Sequence, residues 1–176
     1  MPSGILARYH TAPGRVLSRA RILRIRTLPA SFPGLVLATQ KRGNITWMDT
    51  EMVVVEVSNR SGQDVETDAA AELAQRVLAE EGIAEGELGL AFVGTDEMRR
   101  LKLEHLGLDE VTDVLSFPID GRDELPEGLP RQLGDAVLCP QVTGAEWRGP
   151  LVHGLLHLVG YEHGPEMERR EARWRS

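Results

Sequence analysis

The sequence contains a single cysteine, Cys139, among its 176 residues. One cysteine excludes an internal disulfide and fits a reducing compartment, and we interpret it as a small buried thiol. No apolar stretch approaches the length that crosses a bilayer. The sequence also lacks a glycine-rich phosphate loop and a Ser-His-Asp order, so these two kinds of catalytic motif are excluded.

Acidic residues are absent from the first 48 positions, which carry eight Lys and Arg residues and a net charge of +8. Residues 49–176 carry the other 12 Lys and Arg and all 27 Asp and Glu, a charge of −15, which gives −7 for the chain. An acidic body does not favour a general nucleic-acid surface. Binding of RNA would therefore depend on a local basic patch and on a metal.

The first 51 residues differ in composition from the remainder of the chain. Arg and Pro interrupt the apolar residues of 22–36, so this stretch does not resemble a signal peptide. Three alternatives remain: a transit peptide, a disordered basic tail, or a mis-called start with translation beginning at Met48 or Met52. We favour the third. We expect residues 1–51 to lie outside the fold and residues 52–176 to form one domain large enough for a core.

Strand and helix patterns alternate from residue 53 onward, which predicts one domain of α+β or mixed α/β class. The expected strands cover residues 53–57, 86–94, 111–118 and 133–140. The first and last expected helices cover residues 67–82 and 166–174, with a loop over 120–130. The second expected helix follows Thr95, runs through residues 97–103 and is ended by Gly107. Thr95 is expected to cap the second helix, and Pro150 to take the first position of a later one.

Three of the five histidines, His153, His157 and His163, lie within eleven residues. The four-residue spacing of the first two puts both imidazoles on one face of a helix. Gly160 can end that helix in the left-handed conformation, so that the following turn brings His163 beside them. Three imidazoles leave the fourth position of a zinc ion open, which is the catalytic arrangement. The sequence therefore predicts one Zn²⁺ bound by these three residues.

The same spacing occurs in the zinc-protease pattern H-E-x-x-H-x-x-G-x-x-H, with one difference. Gly154 follows the first histidine, where those proteases have the glutamate that acts as general base. A metal can still polarise a substrate and activate water. Because the usual route to peptide hydrolysis has lost its base, a protease is a disfavoured alternative.

Four stretches, taken in order, resemble the YbeY family of bacterial endoribonucleases, also called rRNA maturation factors. They are residues 55–59, the T-D-V-L-S-F-P of residues 112–118, the L-G-D of residues 133–135, and the H-G-x-L-H-L-x-G-Y-x-H of residues 153–163. The resemblance implies an α+β domain with a mixed sheet of about four strands and a zinc ion on the three histidines. It also implies cleavage of single-stranded RNA in rRNA maturation, including 16S rRNA 3′ end processing, and in ribosome quality control. The implied partners are rRNA and a ribosomal subunit in the cytoplasm, with no DNA and no membrane.

The chain departs from the family at two positions. Leu106 stands where many members carry an arginine that is thought to matter for activity, and Lys102 stands where they carry an asparagine. No catalytic arginine can be carried over, so the catalytic residues stay unassigned. A zinc-stabilised, ribosome-associated binding factor without catalysis is therefore a further alternative.

Several polar residues near these motifs have two interpretations each. Asp113 and Asp135 are either acceptors for the outer nitrogens of ligating imidazoles or simple turn carboxylates. Glu162 is either a base beside His163 or an exposed turn residue. The hydroxyls of Thr112 and Ser116 are expected to complete hydrogen bonds of the sheet rather than to bind phosphate.

Overall fold

The computed structural model describes residues 5–6, 52–126 and 129–174. Apart from residues 5–6, the predicted basic extension over residues 1–51 lies outside this range, so its interpretation stays a prediction. None of the helices in the described ranges is long and apolar enough to cross a membrane.

The described residues form five strands and five helices, close to the predicted order. The strands are β1 Ile5–Leu6, β2 Val53–Asn59, β3 Gly86–Phe92, β4 Val114–Pro118 and β5 Gln132–Leu138. The helices are α1 Thr67–Glu80, α2 Thr95–Leu106, α3 Pro140–Thr143, α4 Arg148–Leu158 and α5 Pro165–Ala172. Short helix α3 was not predicted from the sequence.

The strands form one mixed sheet in the order β1-β4-β5-β3-β2. Strand β4 runs antiparallel to β5, whereas the pairs β1–β4, β3–β5 and β2–β3 are parallel. Four strands of five to seven residues make up most of the sheet, and β1 adds two residues beside β4. The predicted α+β class and the mixed sheet of about four strands are therefore confirmed.

Helices cover both faces of the sheet, because apolar side chains alternate along its strands. Helix α4 packs on β4 and β5 and contacts α1, and its core residues include Leu151 and Leu155. Helix α2 places Met98 in a second cluster with Leu115 and Val137, which lie on the opposite face. The sheet thereby gives α4, the helix with the first two histidines, a rigid apolar support.

Several predicted boundaries are wrong by one to three residues, and three of them have a local explanation in the structure. Gly94 takes the N-cap position of α2 with extended backbone, and Thr95 is already helical. Helix α4 begins at Arg148, so Pro150 is its third residue; the first turn tolerates proline because its N–H groups have no partner inside the helix. Strand β4 begins at Val114, because the Asp113 carboxylate accepts the Val114 N–H at 2.9 Å and forms a turn there.

Candidate metal centre

Helix α4 lies close to β4 because residue 154 is a glycine. A Cβ at Gly154 would lie 2.9 Å from Val114 Cγ2 and 3.0 Å from Ser116 Oγ, both shorter than ordinary contacts. The Ser116 hydroxyl donates a hydrogen bond of 2.9 Å to the Gly154 carbonyl, so it joins the sheet to helix α4 rather than completing a bond of the sheet. The position after the first histidine therefore faces the sheet, where the glutamate of the protease pattern has no room.

The three predicted histidines converge on one point. The Nε2 atom of His157 lies 3.1 Å from that of His153 and 3.0 Å from that of His163, and the remaining pair is 3.3 Å apart. A tetrahedral zinc ion with bonds of about 2.0–2.1 Å holds its nitrogen ligands about 3.3 Å apart. These three nitrogens could therefore hold one metal ion of that size.

The turn after α4 brings the third imidazole to the other two. Gly160 has a φ of 93°, and its N–H donates to the His157 carbonyl at 3.0 Å. This conformation ends the helix as predicted and folds the chain back toward it. His153 and His157 are buried whereas His163 is exposed, so the cluster has one side toward the core and one toward solvent.

Two acceptors hold the outer nitrogens of the buried histidines. The Nδ1 atom of His153 lies 2.6 Å from Glu171 Oε1, and that of His157 lies 2.8 Å from the Tyr161 carbonyl oxygen. Because both acceptors take a proton from Nδ1, the Nε2 atoms keep the lone pairs that a metal needs. The two imidazoles are thereby oriented in the ligating tautomer.

Burial lowers the pKa of His157 to about 4. The neighbouring His153 and His163 lower it further, while the hydrogen bond to the Tyr161 carbonyl and the charge of Glu171 oppose the shift. His157 is therefore neutral at physiological pH, and the neutral imidazole is the form that binds a metal.

Neither aspartate considered from the sequence holds a histidine. Asp113 accepts hydrogen bonds from the Val114 N–H at 2.9 Å and from the Thr112 hydroxyl at 3.1 Å, so it is a turn carboxylate. The Asp135 side chain lies against Gly89 of the neighbouring strand β3. A Cβ at residue 89 would come within 1.9 Å of Asp135 Oδ1, so only a glycine fits there. Burial, followed by the charge of Glu56, raises the pKa of Asp135. Sequence reasoning missed Glu171 and the Tyr161 carbonyl, which do hold the histidines.

The remaining residues considered from the sequence have structural positions. Leu106 packs partly buried against the apolar cluster under α2, so the position of the family arginine presents no cation. Lys102 is buried and donates to Glu110 Oε1 at 2.8 Å. Cys139 is a buried free thiol, as predicted, and Glu162 is exposed in the turn before His163.

Comparisons with known proteins match most of the chain. The family model described as Endoribonuclease YbeY matches residues 56–175. A protein named Endoribonuclease YbeY from Salinispora tropica is 37% identical over 151 residues, covering 69% of this chain and 96% of that protein. Another of that name from Rhodococcus opacus is 39% identical over 134 residues, covering 66% and 74%. The solution structure of a Thermotoga maritima protein aligns with a TM-score of 0.44 and 22% identity, covering 69% of this chain and 86% of that chain.

Proposed function

Because the chain belongs to the YbeY family of endoribonucleases, it is an enzyme that cleaves RNA, and we propose that it does so as a zinc-dependent, single-strand-specific endoribonuclease. Its proposed work is rRNA maturation, including 16S rRNA 3′ end processing, and ribosome quality control at a ribosomal subunit in the cytoplasm. The observation that supports zinc dependence is the convergence of the His153, His157 and His163 Nε2 atoms within 3.3 Å of one another.

The proposed ligands are His153, His157 and His163. Zinc bound there supplies Lewis acidity for the phosphate charge and activation of water. The chain's own contribution is orientation: Glu171 and the Tyr161 carbonyl fix the two buried imidazoles, and burial keeps His157 neutral. The exposed side at His163 is where we expect a phosphodiester to approach.

A second candidate function is a zinc-stabilised ribosome-associated binding factor without catalysis. Leu106 favours it, since this side chain packs against an apolar cluster where many relatives carry the arginine considered above. The protease alternative loses further support because Gly154 faces the sheet and leaves no room for a general base.

The test compares metal content and RNA cleavage in the full chain, in His157→Ala and in the control His105→Ala. His105 is an exposed imidazole that is not one of the three clustered histidines. Its ring lies edge-to-face against Phe117, with the ring centroids 4.9 Å apart. We expect one zinc per chain and cleavage of single-stranded but not duplex RNA, with both lost only in His157→Ala. Zinc without cleavage would favour the binding factor, and a wild-type chain without metal would refute the proposed site.

A further inference from the structure

A buried carboxylate lies at the C-terminal end of α1, outside the histidine cluster. The side chain of Glu81 is 2% exposed and accepts three hydrogen bonds on Oε2. The donors are Arg122 Nη2 at 2.6 Å, Arg170 Nη1 at 2.7 Å and the Tyr161 hydroxyl at 2.9 Å. These three donors come from the loop after β4, from α5 and from the turn between the second and third histidines.

The two arginines also enclose the tyrosine ring. The guanidinium carbon of Arg122 lies 4.8 Å from the Tyr161 ring centroid, and that of Arg170 lies 4.7 Å from it. Burial by itself raises the pKa of Glu81, but the hydrogen bonds from Arg170, Tyr161 and Arg122 lower it below its usual value. Glu81 is therefore an ionised anchor, and a charged buried group with three donors has one preferred geometry.

This anchor is connected to both outer acceptors of the histidine cluster. The Tyr161 side chain bonds Glu81 while its own carbonyl accepts the Nδ1 proton of His157. Arg170 bonds Glu81, and the next residue, Glu171, accepts the Nδ1 proton of His153. One carboxylate therefore holds the two chain segments that orient the two buried imidazoles.

We propose that Glu81 is a positioning residue of the metal centre, acting through Tyr161 and Arg170 on His157 and His153. This inference rests on the proposed zinc function, because it concerns how well the same three nitrogens are held for the ion. Loss of a partner behind a ligating histidine typically weakens metal binding 10–100-fold. Glu81 lies one contact further out and serves two such partners, so we expect Glu81→Gln to weaken zinc binding about tenfold.

The test measures the zinc dissociation constant of the full chain by competition with a chromophoric chelator. Glu81→Gln is compared with the adjacent control Glu80→Gln, which removes an exposed ion pair of 3.0 Å between α1 and Arg173, the residue that follows α5. We expect the control to bind zinc within about twofold of wild type. A purely structural role would lower the free energy of unfolding of Glu81→Gln but leave the dissociation constant of the folded protein unchanged, and that result would overturn the proposal.

A double variant tests whether the effect passes through Arg170 and Glu171. Each single variant, Glu81→Gln and Glu171→Gln, is expected to lose zinc-binding free energy. The loss in the double variant is expected to be smaller than the sum of the two single losses, because both residues act on His153. If Glu81→Gln does not fold, two other variants test the inference. Tyr161→Phe removes the hydroxyl bond to Glu81. Arg170→Met removes the bond from α5 to Glu81, together with the contacts of Arg170 to Glu166 and to the Tyr161 ring. Each is then expected to weaken zinc binding several-fold, and wild-type affinity in both overturns the inference. A wild-type chain that binds no zinc would instead refute the proposed function itself.

Discussion

The substitution Gly154→Ala measures how closely helix α4 has to lie on the sheet. It adds one methyl group, which would meet Val114 Cγ2 at 2.9 Å and Ser116 Oγ at 3.0 Å. Both neighbours are fixed, since Val114 is a buried β-branched residue of β4 and Ser116 is hydrogen-bonded to residue 154 itself. The helix or the strand therefore has to move.

Two opposing effects decide the size of the change. Overpacking of a close-packed core costs about 1–3 kcal/mol. Alanine in place of glycine inside a helix returns about 1 kcal/mol. We therefore expect Gly154→Ala to lower the free energy of unfolding by up to about 2 kcal/mol. Gly154→Glu, which restores the protease pattern, adds a charge with no room for it and should abolish folding.

The assay is urea unfolding, with Gly149→Ala as the matched control. Gly149 lies in the first turn of the same helix, is exposed, and a Cβ there would have nothing within 4 Å. The control gains helix propensity without a clash, so it should be unchanged or up to about 1 kcal/mol more stable. If Gly154→Ala proves as stable as Gly149→Ala, the steric explanation for the missing glutamate is refuted.

Three further outcomes are expected. Metal-free protein should lose up to about 3 kcal/mol of unfolding free energy as pH falls from 6.5 to 4, because only the unfolded state protonates His157 in that window. The check is the free energy of unfolding of wild type and of His157→Gln over a pH series. Identical slopes of unfolding free energy against pH in the two proteins would contradict the prediction. Glu110→Ala should lower the free energy of unfolding by about 1–3 kcal/mol, because the buried Lys102 ammonium loses its partner at 2.8 Å. Lys102→Met removes the buried charge as well, so it should lower the free energy of unfolding by less. Urea midpoints of the two variants in the reverse order would contradict this. Ser116→Ala should cost about 1 kcal/mol in the same assay and leave zinc binding at the wild-type level, and a loss of zinc would give this hydroxyl a role beyond packing.

The histidine cluster could be predicted because its geometry is local. His153 and His157 are related by one helical turn, and Gly160 takes the left-handed conformation that sequence reasoning expects after a helix. Only backbone periodicity and one turn are needed to bring the three imidazoles together. The strand and helix order of the domain was predictable for the same reason, since each element carries its own apolar period.

The groups that hold the histidines could not be predicted, because distant packing positions them. Glu171 is 18 residues from His153 in the chain, and Glu81 is 80 residues from Tyr161. Which carboxylate reaches His153 depends on how α5 docks against α4, and the residue pattern of a single helix carries no information on that docking. Sequence reasoning considered Asp113 because of its place at the end of a predicted strand, and the structure instead places its carboxylate on its own turn.

The ligands of the proposed metal also lie close together in the chain. An ion bound there would close a loop of only four residues between His153 and His157 and one of six residues between His157 and His163. It would therefore cross-link a single segment of the chain. The entropy removed from an unfolded chain by a cross-link grows with loop length, by about 0.6 kcal/mol for each doubling. Structural zinc sites that hold a small domain together behave differently, because removal of their ion unfolds the chain. Here an apolar core already packs α4 on the sheet, so we expect metals to exchange at a folded protein.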